Sequence, residues 1–356
     1  MDDGLPALRW GIIGAGMIAS WFTVDLSLEC SDAGAIHTIQ VVGSSSLEKA
    51  QKFKAELRAK APLVRGDIAC YDSYAEVFTD PQVDIVYIAT PHAAHRQNCL
   101  DAIHHGKHIL CEKPFTVNAR EAIEVIEAAR AKGVFVMEGM WTRFHPLARK
   151  MVDLLHQEKI IGQIQRAFVD FGLDMPIQDL PPSSRLRDVA LGAGSLLDLG
   201  IYSLTWGILA LEGEPDPGKQ QVKPKISACQ SIDNQIDLAS SVLVYYPEHR
   251  CQGILSSTVL HKTDAVFDRV EGSLGTLTVE GFAPMPDKIT VYLKPADAPS
   301  ASEGRGFYYE ADSIAKDIAN GRTESAVIPL SETLRVLEIL DEVRRQGGAR
   351  YPQDQD

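Results

Sequence analysis

The stretch RWGIIGAGMIASWF, Arg9 to Phe22, carries an apolar run straight into two glycines one residue apart, Gly14 and Gly16, and then turns apolar again. Leu8–Ile13 reads as a short buried strand, and Met17–Leu26 places apolar residues at helical spacing. Between a strand and a helix, the pattern Gly14-x-Gly16-x-x-Ala19 has a specific physical reading. Gly14 permits a sharp turn, Gly16 lacks the Cβ that would hold a pyrophosphate off the backbone, and Ala19 is small enough for the helix to lie close to the strand. The helix start then offers unpaired N–H groups and partial positive charge to a phosphate. The competing reading is a glycine turn that seats nothing, and the chain around the motif decides between them.

That surrounding chain alternates. IHTIQVVGSSS forms a second strand candidate and Leu47–Lys60 a helix rich in Lys, Glu and Ala. VDIVYIATP is β-branched and aromatic and ends at Pro91, and Ala93–His105 reads as a helix closed by Gly106. HILCEKP, Asn118–Lys132 and VFVMEGM then read as strand, helix and strand. Strands separated by helix-sized segments imply right-handed crossovers and a parallel, doubly wound sheet. The glycine motif therefore opens a βαβ unit, the setting in which it binds a dinucleotide.

The end of the second strand distinguishes the dinucleotides. An NAD-binding strand usually ends in Asp or Glu, which takes the ribose 2′-hydroxyl. Here Gly43 is followed by Ser44, Ser45 and Ser46, with Lys49 beyond and no carboxylate at the tip. Serine hydroxyls and a lysine suit a 2′-phosphate, which favours NADP. The serines are equally suited to cap the helix Leu47–Lys60, and one run can serve both purposes.

After MWTRFHP the rhythm changes. Leu147–Gln157 reads as a helix, QIQRAFVDFGLD as an alternating strand, PIQDLPPSSRLRD as a polar loop, and Ser195–Leu211 as an apolar helix. KISACQSI, LASSVLVYYP, CQGILSSTVL, AVFDRVEGS, GTLTVEG and KITVYLKP follow as short strands, which imply an open, mostly antiparallel sheet. Helices are expected at Asp312–Gly321 and from Ser331 onward. The expected architecture is a Rossmann α/β domain over residues 1–143, followed by an α+β substrate-binding and dimerisation domain over 144–356. An open sheet with apolar residues and no covering helices calls for a partner, hence a homodimer.

The whole-chain totals agree. A length of 356 residues suggests two domains, and 45% hydrophobic with 23% charged residues is ordinary for a globular protein. A net charge of −13 disfavours nucleic acid and anionic membrane as partners. The six cysteines show no Cys-x-x-Cys pair and no zinc spacing, so buried reduced thiols and no metal are expected. The start MDDGLPALRW lacks the apolar core of a signal peptide, and no apolar run approaches the ~20 residues of a membrane span. A cytoplasmic location is the resulting expectation.

Three further stretches, CEKPFTVN (Cys111–Asn118), MEGMWTRFHP (Met137–Pro146) and GAGSLLDLGIY (Gly192–Tyr202), occur in that order after the glycine motif. Together the four resemble the Gfo/Idh/MocA oxidoreductases across almost the whole chain. They are most similar to the branch of dimeric trans-1,2-dihydrobenzene-1,2-diol dehydrogenases and NADP-dependent D-xylose 1-dehydrogenases. Where the family often has His, this chain has Tyr202, as that branch does. The resemblance implies hydride transfer between NADP and a hydroxyl carbon of an aldopyranose or a cyclic trans-diol. Lys113, Asp198 and Tyr202 are the implied catalytic set. The implied dinucleotide contacts are Gly14, Gly16, Met17, Ile18, Ser44, Ser45, Ser46, Lys49, Thr90, Pro91, His92, Glu112, Lys113, Trp141 and Arg143. The substrate is implied to meet Lys113, Arg143, Phe171, Asp198 and Tyr202.

The residues support these roles independently. Lys113 ends a parallel strand, where open α/β sheets bind ligands, and Pro114 stiffens the backbone after it. Asp198 and Tyr202, four apart on one expected helix, share a face. Tyr202 would accept the hydroxyl proton, with Lys113 lowering its pKa and Asp198 holding either the substrate or Lys113. Asp198 has an alternative use as the partner of Arg185 or Arg187, and Tyr202 on an apolar helix suits a core position as well as a base. His145 falls near the expected cleft, and His95 suits a structural role. Two other functions remain open: an inositol-type dehydrogenase using NAD, and a non-catalytic dinucleotide sensor.

Overall fold

Short apolar strands with helices between them pair in parallel, and the topology follows from that. In the computed structural model, which describes residues 5–28, 34–214, 223–295, 318–321, 323–325, 330–331 and 334–335, the first sheet is built from β1 (Ala7–Ile13), β2 (Ile36–Gly43), β3 (Ala69–Tyr71), β4 (Ile85–Ile88), β5 (His108–Glu112) and β6 (Val136–Gly139). The connecting helices are α1 (Met17–Leu26), α2 (Leu47–Lys60), α3 (Tyr74–Thr79), α4 (His95–His104) and α5 (Ala119–Lys132). Strand order is β3-β2-β1-β4-β5-β6, with every pair parallel. Order reverses between β1 and β4, so the carboxyl ends of these two strands flank the crevice where doubly wound sheets bind ligands. Every residue of β4 is buried, as expected of a strand covered on both faces. Ser46, Ser73 and Asn118 cap α2, α3 and α5 by accepting the N–H of Lys49, Ala75 and Glu121.

The second sheet follows α6 (Pro146–Val152) and contains β7 (Ile164–Gly172), then, after α7 (Ile201–Leu211), β8 (Lys225–Asp233), β9 (Ile236–Tyr246), β10 (Cys251–Thr258), β11 (Val266–Gly272), β12 (Gly275–Phe282) and β13 (Met285–Leu293). Its order is β13-β12-β11-β7-β10-β9-β8. All pairs are antiparallel except β7–β10, so the first strand in sequence lies at the centre. One face is covered, contrary to the expectation of a sheet without helices. Met151, Trp206, Leu209 and Ala210 from α6 and α7 share a core with Val169, Leu255, Val270 and Leu277. Gly207 makes close packing possible, because a Cβ there would lie 2.6 Å from Leu255 Cδ2. On the opposite face, exposed side chains stand among the described residues. The register aligns Leu243, Ile254, Phe168 and Arg269 in one row across four strands.

Two expected helices are interrupted. Leu147–Gln157 becomes α6 followed by a π-turn over Asp153–Gln157, and Ser195–Leu211 becomes a π-turn over Leu196–Gly200 leading into α7. The apolar stretch Val189–Leu211 is longer than the sequence reading allowed: its most apolar 18-residue window has mean hydropathy 1.4 and is 72% buried within the protein, and Gly192 and Gly194 at positive φ break it ahead of the π-turn. Contacts divide the chain into two units, Met1–Lys294 and Pro295–Asp356, with both sheets in the first. Most of the helices expected at Asp312–Gly321 and after Ser331 lies outside the described residues.

Candidate active site

Gly14 and Gly16 are glycines for different reasons. Gly14 has φ +90°, and a Cβ on it would sit 2.5 Å from the Ala89 carbonyl oxygen. The fold itself requires that glycine. Gly16 has φ −91°, which any residue adopts, and a Cβ on it would meet no protein atom within 4 Å. Neither backbone nor packing asks for glycine at Gly16. What remains is the space in front of α1, whose first turn is capped by no side chain. That is the fit expected of a phosphate-bearing group seated on unclaimed N–H donors.

A cleft of about 570 Å³ opens from this cradle. Its lining brings together Gly14, Gly16, Met17, Ile18, Ser44, Ser45, Lys49, Thr90, Pro91, His92, Glu112, Lys113, Trp141, Phe171, Asp198 and Tyr202 from the expected set. Ser46 and Arg143 are outside the lining. Ser46 Oγ is taken by the α2 cap, and the Arg143 guanidinium pairs with Glu214 at 3.8 Å. His145 is also outside, with Nδ1 buried and unpaired among the described residues. At the tip of β2, Lys49 Nζ donates to Ser45 Oγ at 3.0 Å with no carboxylate on the lining there, an arrangement that fits a 2′-phosphate.

Strand ends position the reacting groups. His95, fully buried, places its two ring nitrogens 2.8 Å from the Pro114 and Thr90 carbonyl oxygens, tying together the turns after β4 and β5. Burial pushes His92 down to about 4, so its ring is neutral and Nδ1–H donates to the Gly192 carbonyl at 3.0 Å. Glu112, whose carboxyl burial raises, accepts from the Tyr87 hydroxyl at 2.5 Å and from the Lys113 N–H at 3.2 Å.

Lys113 reaches from the end of β5 to the π-turn. Its ammonium donates to the Asp198 carbonyl at 2.7 Å and to Asp198 Oδ1 at 2.9 Å, and both side chains are 12% exposed. Arg185 lies 3.4 Å from Asp198 Oδ2. Burial alone would raise the Asp198 carboxyl, but these two cations more than offset it and hold the group down to about 2. Asp198 thus has both partners that the sequence offered as alternatives, except that the arginine is Arg185 and not Arg187, which donates to the Leu180 carbonyl. The π-turn is itself pinned from β9: Asp237 Oδ2 accepts the Leu196 N–H at 2.7 Å, and a Cβ on Gly194 would strike Asp237 Oδ1 at 2.3 Å.

Tyr202, on the first turn of α7, is buried in the same cleft. Its hydroxyl oxygen accepts the Trp141 indole N–H at 3.0 Å, and its ring packs edge-on against Phe171 at 5.5 Å. The expectation that Lys113 lowers its pKa is corrected here. Burial pushes the phenol well above its ordinary value, Trp141 counters part of that, and Glu112, Asp198 and Glu138 add to the rise. Lys113 is committed to Asp198, and its ammonium lies over the face of the Tyr202 ring, 5.0 Å from the centroid.

Beyond Tyr202 the cleft is walled by Phe171, Leu173, Met175, Leu199 and Phe282. Sequence reasoning missed most of this wall, and also Arg185 as a cleft residue, Tyr74, Trp21 and the positioning carboxylate of Asp237. Tyr74 had a readable signal, since Ser73 before it is a helix cap. Asp237 had none, because it reaches the site only through the pairing order of the second sheet.

Comparison with known proteins agrees with this geometry. Residues 8–140 match the family described as an oxidoreductase family with an NAD-binding Rossmann fold, GFO_IDH_MocA. The chain is 33% identical to the D-xylose 1-dehydrogenase (NADP(+)) of Hypocrea jecorina over 99% of its own length and 95% of that protein. It is 33% identical to the trans-1,2-dihydrobenzene-1,2-diol dehydrogenase of Sus scrofa over 98% of its length and 99% of that protein. Among solved structures, the aldose-aldose oxidoreductase of Caulobacter crescentus complexed with glycerol superimposes with TM-score 0.66 at 22% identity, covering 96% of this chain and 98% of that one, a likeness of fold. With the cradle, the reacting groups and near full-length similarity all in agreement, the chain belongs to the Gfo/Idh/MocA oxidoreductase family.

Proposed function

We propose that this protein is an NADP-dependent dehydrogenase that interconverts a hydroxyl and a carbonyl on an aldopyranose, at C1 of a sugar such as D-xylose or D-glucose, or on a cyclic trans-diol. The observation that carries the reading is one cleft holding the open space at Gly16, the carboxylate-free tip at Ser45 and Lys49, and the Lys113, Asp198 and Tyr202 set. A sensor without catalysis needs the first two but not the third. The bound nicotinamide supplies the carbon that takes or gives the hydride.

The side chains handle the proton. In oxidation the substrate C–H electron pair leaves as hydride, the hydroxyl proton passes to an ionised Tyr202, and a carbonyl remains. In reduction a protonated Tyr202 returns the proton to the carbonyl oxygen. Because burial keeps the phenol protonated at neutral pH, Tyr202 is poised as the acid for reduction, and oxidation gains as pH rises. Lys113, held by Asp198, presents a cation at the reacting centre and orients the substrate oxygen.

The reading extends to the whole chain. Residues 1–143 serve the dinucleotide, and 144–356 serve the substrate and a homodimer formed through the face of the second sheet opposite α6 and α7, where Leu243, Tyr245 and Ile254 stand 37–39% exposed. A net charge of −13 supports a small-molecule partner over nucleic acid or anionic membrane, and the free state of the described cysteines fits a cytoplasmic setting. The test is a turnover panel of D-xylose, D-glucose, inositols and trans-dihydrodiols with NADP and with NAD. We expect NADP reduction with at least one pyranose or trans-diol. Turnover confined to an inositol with NAD points to the inositol-type enzyme, and no turnover with any pair points to the sensor.

A further inference from the structure

We propose that Trp141 is the positioning residue that stabilises the ionised oxygen of Tyr202, through its indole N–H. The inference rests on Tyr202 being the proton-transfer group. An indole nitrogen donates and cannot accept. The 3.0 Å bond therefore runs from Trp141 to the Tyr202 oxygen, and the phenol's own proton is left to point elsewhere. When that proton departs, the bond gains a charged acceptor and strengthens. Trp141 thus favours the ionised form, and does so without leaving its place.

Among the described residues no other group donates a hydrogen bond to the Tyr202 oxygen. Lys113 is the cation nearest the ring, but two bonds to Asp198 commit it, and it faces the π-surface rather than the oxygen. The titratable groups around Tyr202 are Glu112 at the end of β5, Glu138 on β6 and Asp198 on the π-turn, and all three oppose ionisation. Tyr87 is hydrogen-bonded to Glu112, while His92 and Arg185 act on Asp198. The indole is held in position by its backbone. The tight turn Trp141–Phe144 follows β6 directly, and the buried Thr142 hydroxyl ties it to the Pro284 carbonyl at 2.9 Å. A Trp on a fixed turn with its one polar atom on a tyrosine oxygen is pre-organised for the charge that develops there.

The test replaces the donor while keeping the ring. Trp141→Phe removes the N–H, and site-specific benzothienylalanine at the same position keeps the indole shape with sulfur in place of N–H, so a packing defect in the first variant does not decide the matter. The readout is the pH profile of alcohol oxidation, with NADP affinity measured alongside. We expect the alkaline-rising limb to move upward by about one pH unit in both variants, a roughly tenfold loss at saturating NADP at any pH below it, so that any change in NADP affinity at this cleft residue is kept apart from the limb. Trp141→His, which restores a ring N–H, should recover part of the shift. In a Tyr202→Phe background the Trp141 substitutions should change nothing further. An unmoved limb in the benzothienylalanine enzyme overturns the proposal while leaving Tyr202 in its role. Near-normal turnover by Tyr202→Phe alone overturns the reading of Tyr202 itself.

Discussion

The two glycines of the opening motif show how a residue's role is separated from its environment. Gly14 answers to the fold and Gly16 answers to nothing the folded chain contains. Gly16 is also the N-cap of α1, where Asp is preferred over Gly. Gly16→Asp should therefore leave melting temperature unchanged or slightly raised, while a carboxylate in the phosphate seat weakens NADP binding by about 100-fold or more, ~2.7 kcal/mol. Thermal melting and a fluorescence titration check both halves, and retained affinity would remove the dinucleotide from this cradle. Lys113, Asp198 and Tyr202 were legible as a set because the family resemblance implied them, while a strand end at Lys113 and one helix face for Asp198 and Tyr202 suited the roles. Of the bonds that join them, Lys113 to Asp198 was offered as one alternative and Trp141 to Tyr202 was not read. The sequence suggested that Lys113 acts on Tyr202, and the fold gives Lys113 to Asp198 and Tyr202 to Trp141. Bond choice among neighbours depends on ångström placement, which spacing does not encode.

At the scale of elements, strands and helices were legible where periodicity was long and caps were present. Met17–Leu26 and Leu47–Lys60 agree with α1 and α2 at both ends. The pair β3 and α3 was not read, because three strand residues and six helical ones are too short to show a period. The π-turn at Leu196–Gly200 was invisible for another reason. Leu196, Leu197 and Leu199 read as plain helix, and the contacts at this turn come from far along the chain, where Asp237 takes the Leu196 N–H and Ser195 bonds Ser257 at 2.8 Å. π-turns inside helices often mark functional sites, and this one carries Asp198. Pairing order was equally beyond the sequence. Hairpin logic predicts neighbours in chain order, whereas β7 sits between β10 and β11, where the early strand completes a sheet made by later ones.

Across the whole molecule, the face of the second sheet opposite α6 and α7 and the cleft make separate demands. The row Leu243, Ile254, Phe168 and Arg269 presents apolar side chains flanked by charge, with Arg269 over the Phe168 ring at 4.2 Å. A carboxylate in that row cannot be desolvated cheaply. Light scattering at micromolar concentration should give twice the chain mass for the parent and the chain mass for Ile254→Asp, and a monomeric parent would remove the dimer. The cleft joins both sheets chemically: the cradle lies on the first, and Tyr202 lies on the helix that covers the second. That division of labour is the central claim, and it predicts that proton transfer and dinucleotide binding can be separated by one oxygen atom. Tyr202→Phe keeps the ring packed against Phe171 and removes only the hydroxyl. Measured together on this variant, turnover should fall by about 10²–10⁴-fold while NADP affinity stays within about twofold of the parent; near-normal turnover, or a parallel loss of NADP binding, would contradict the account.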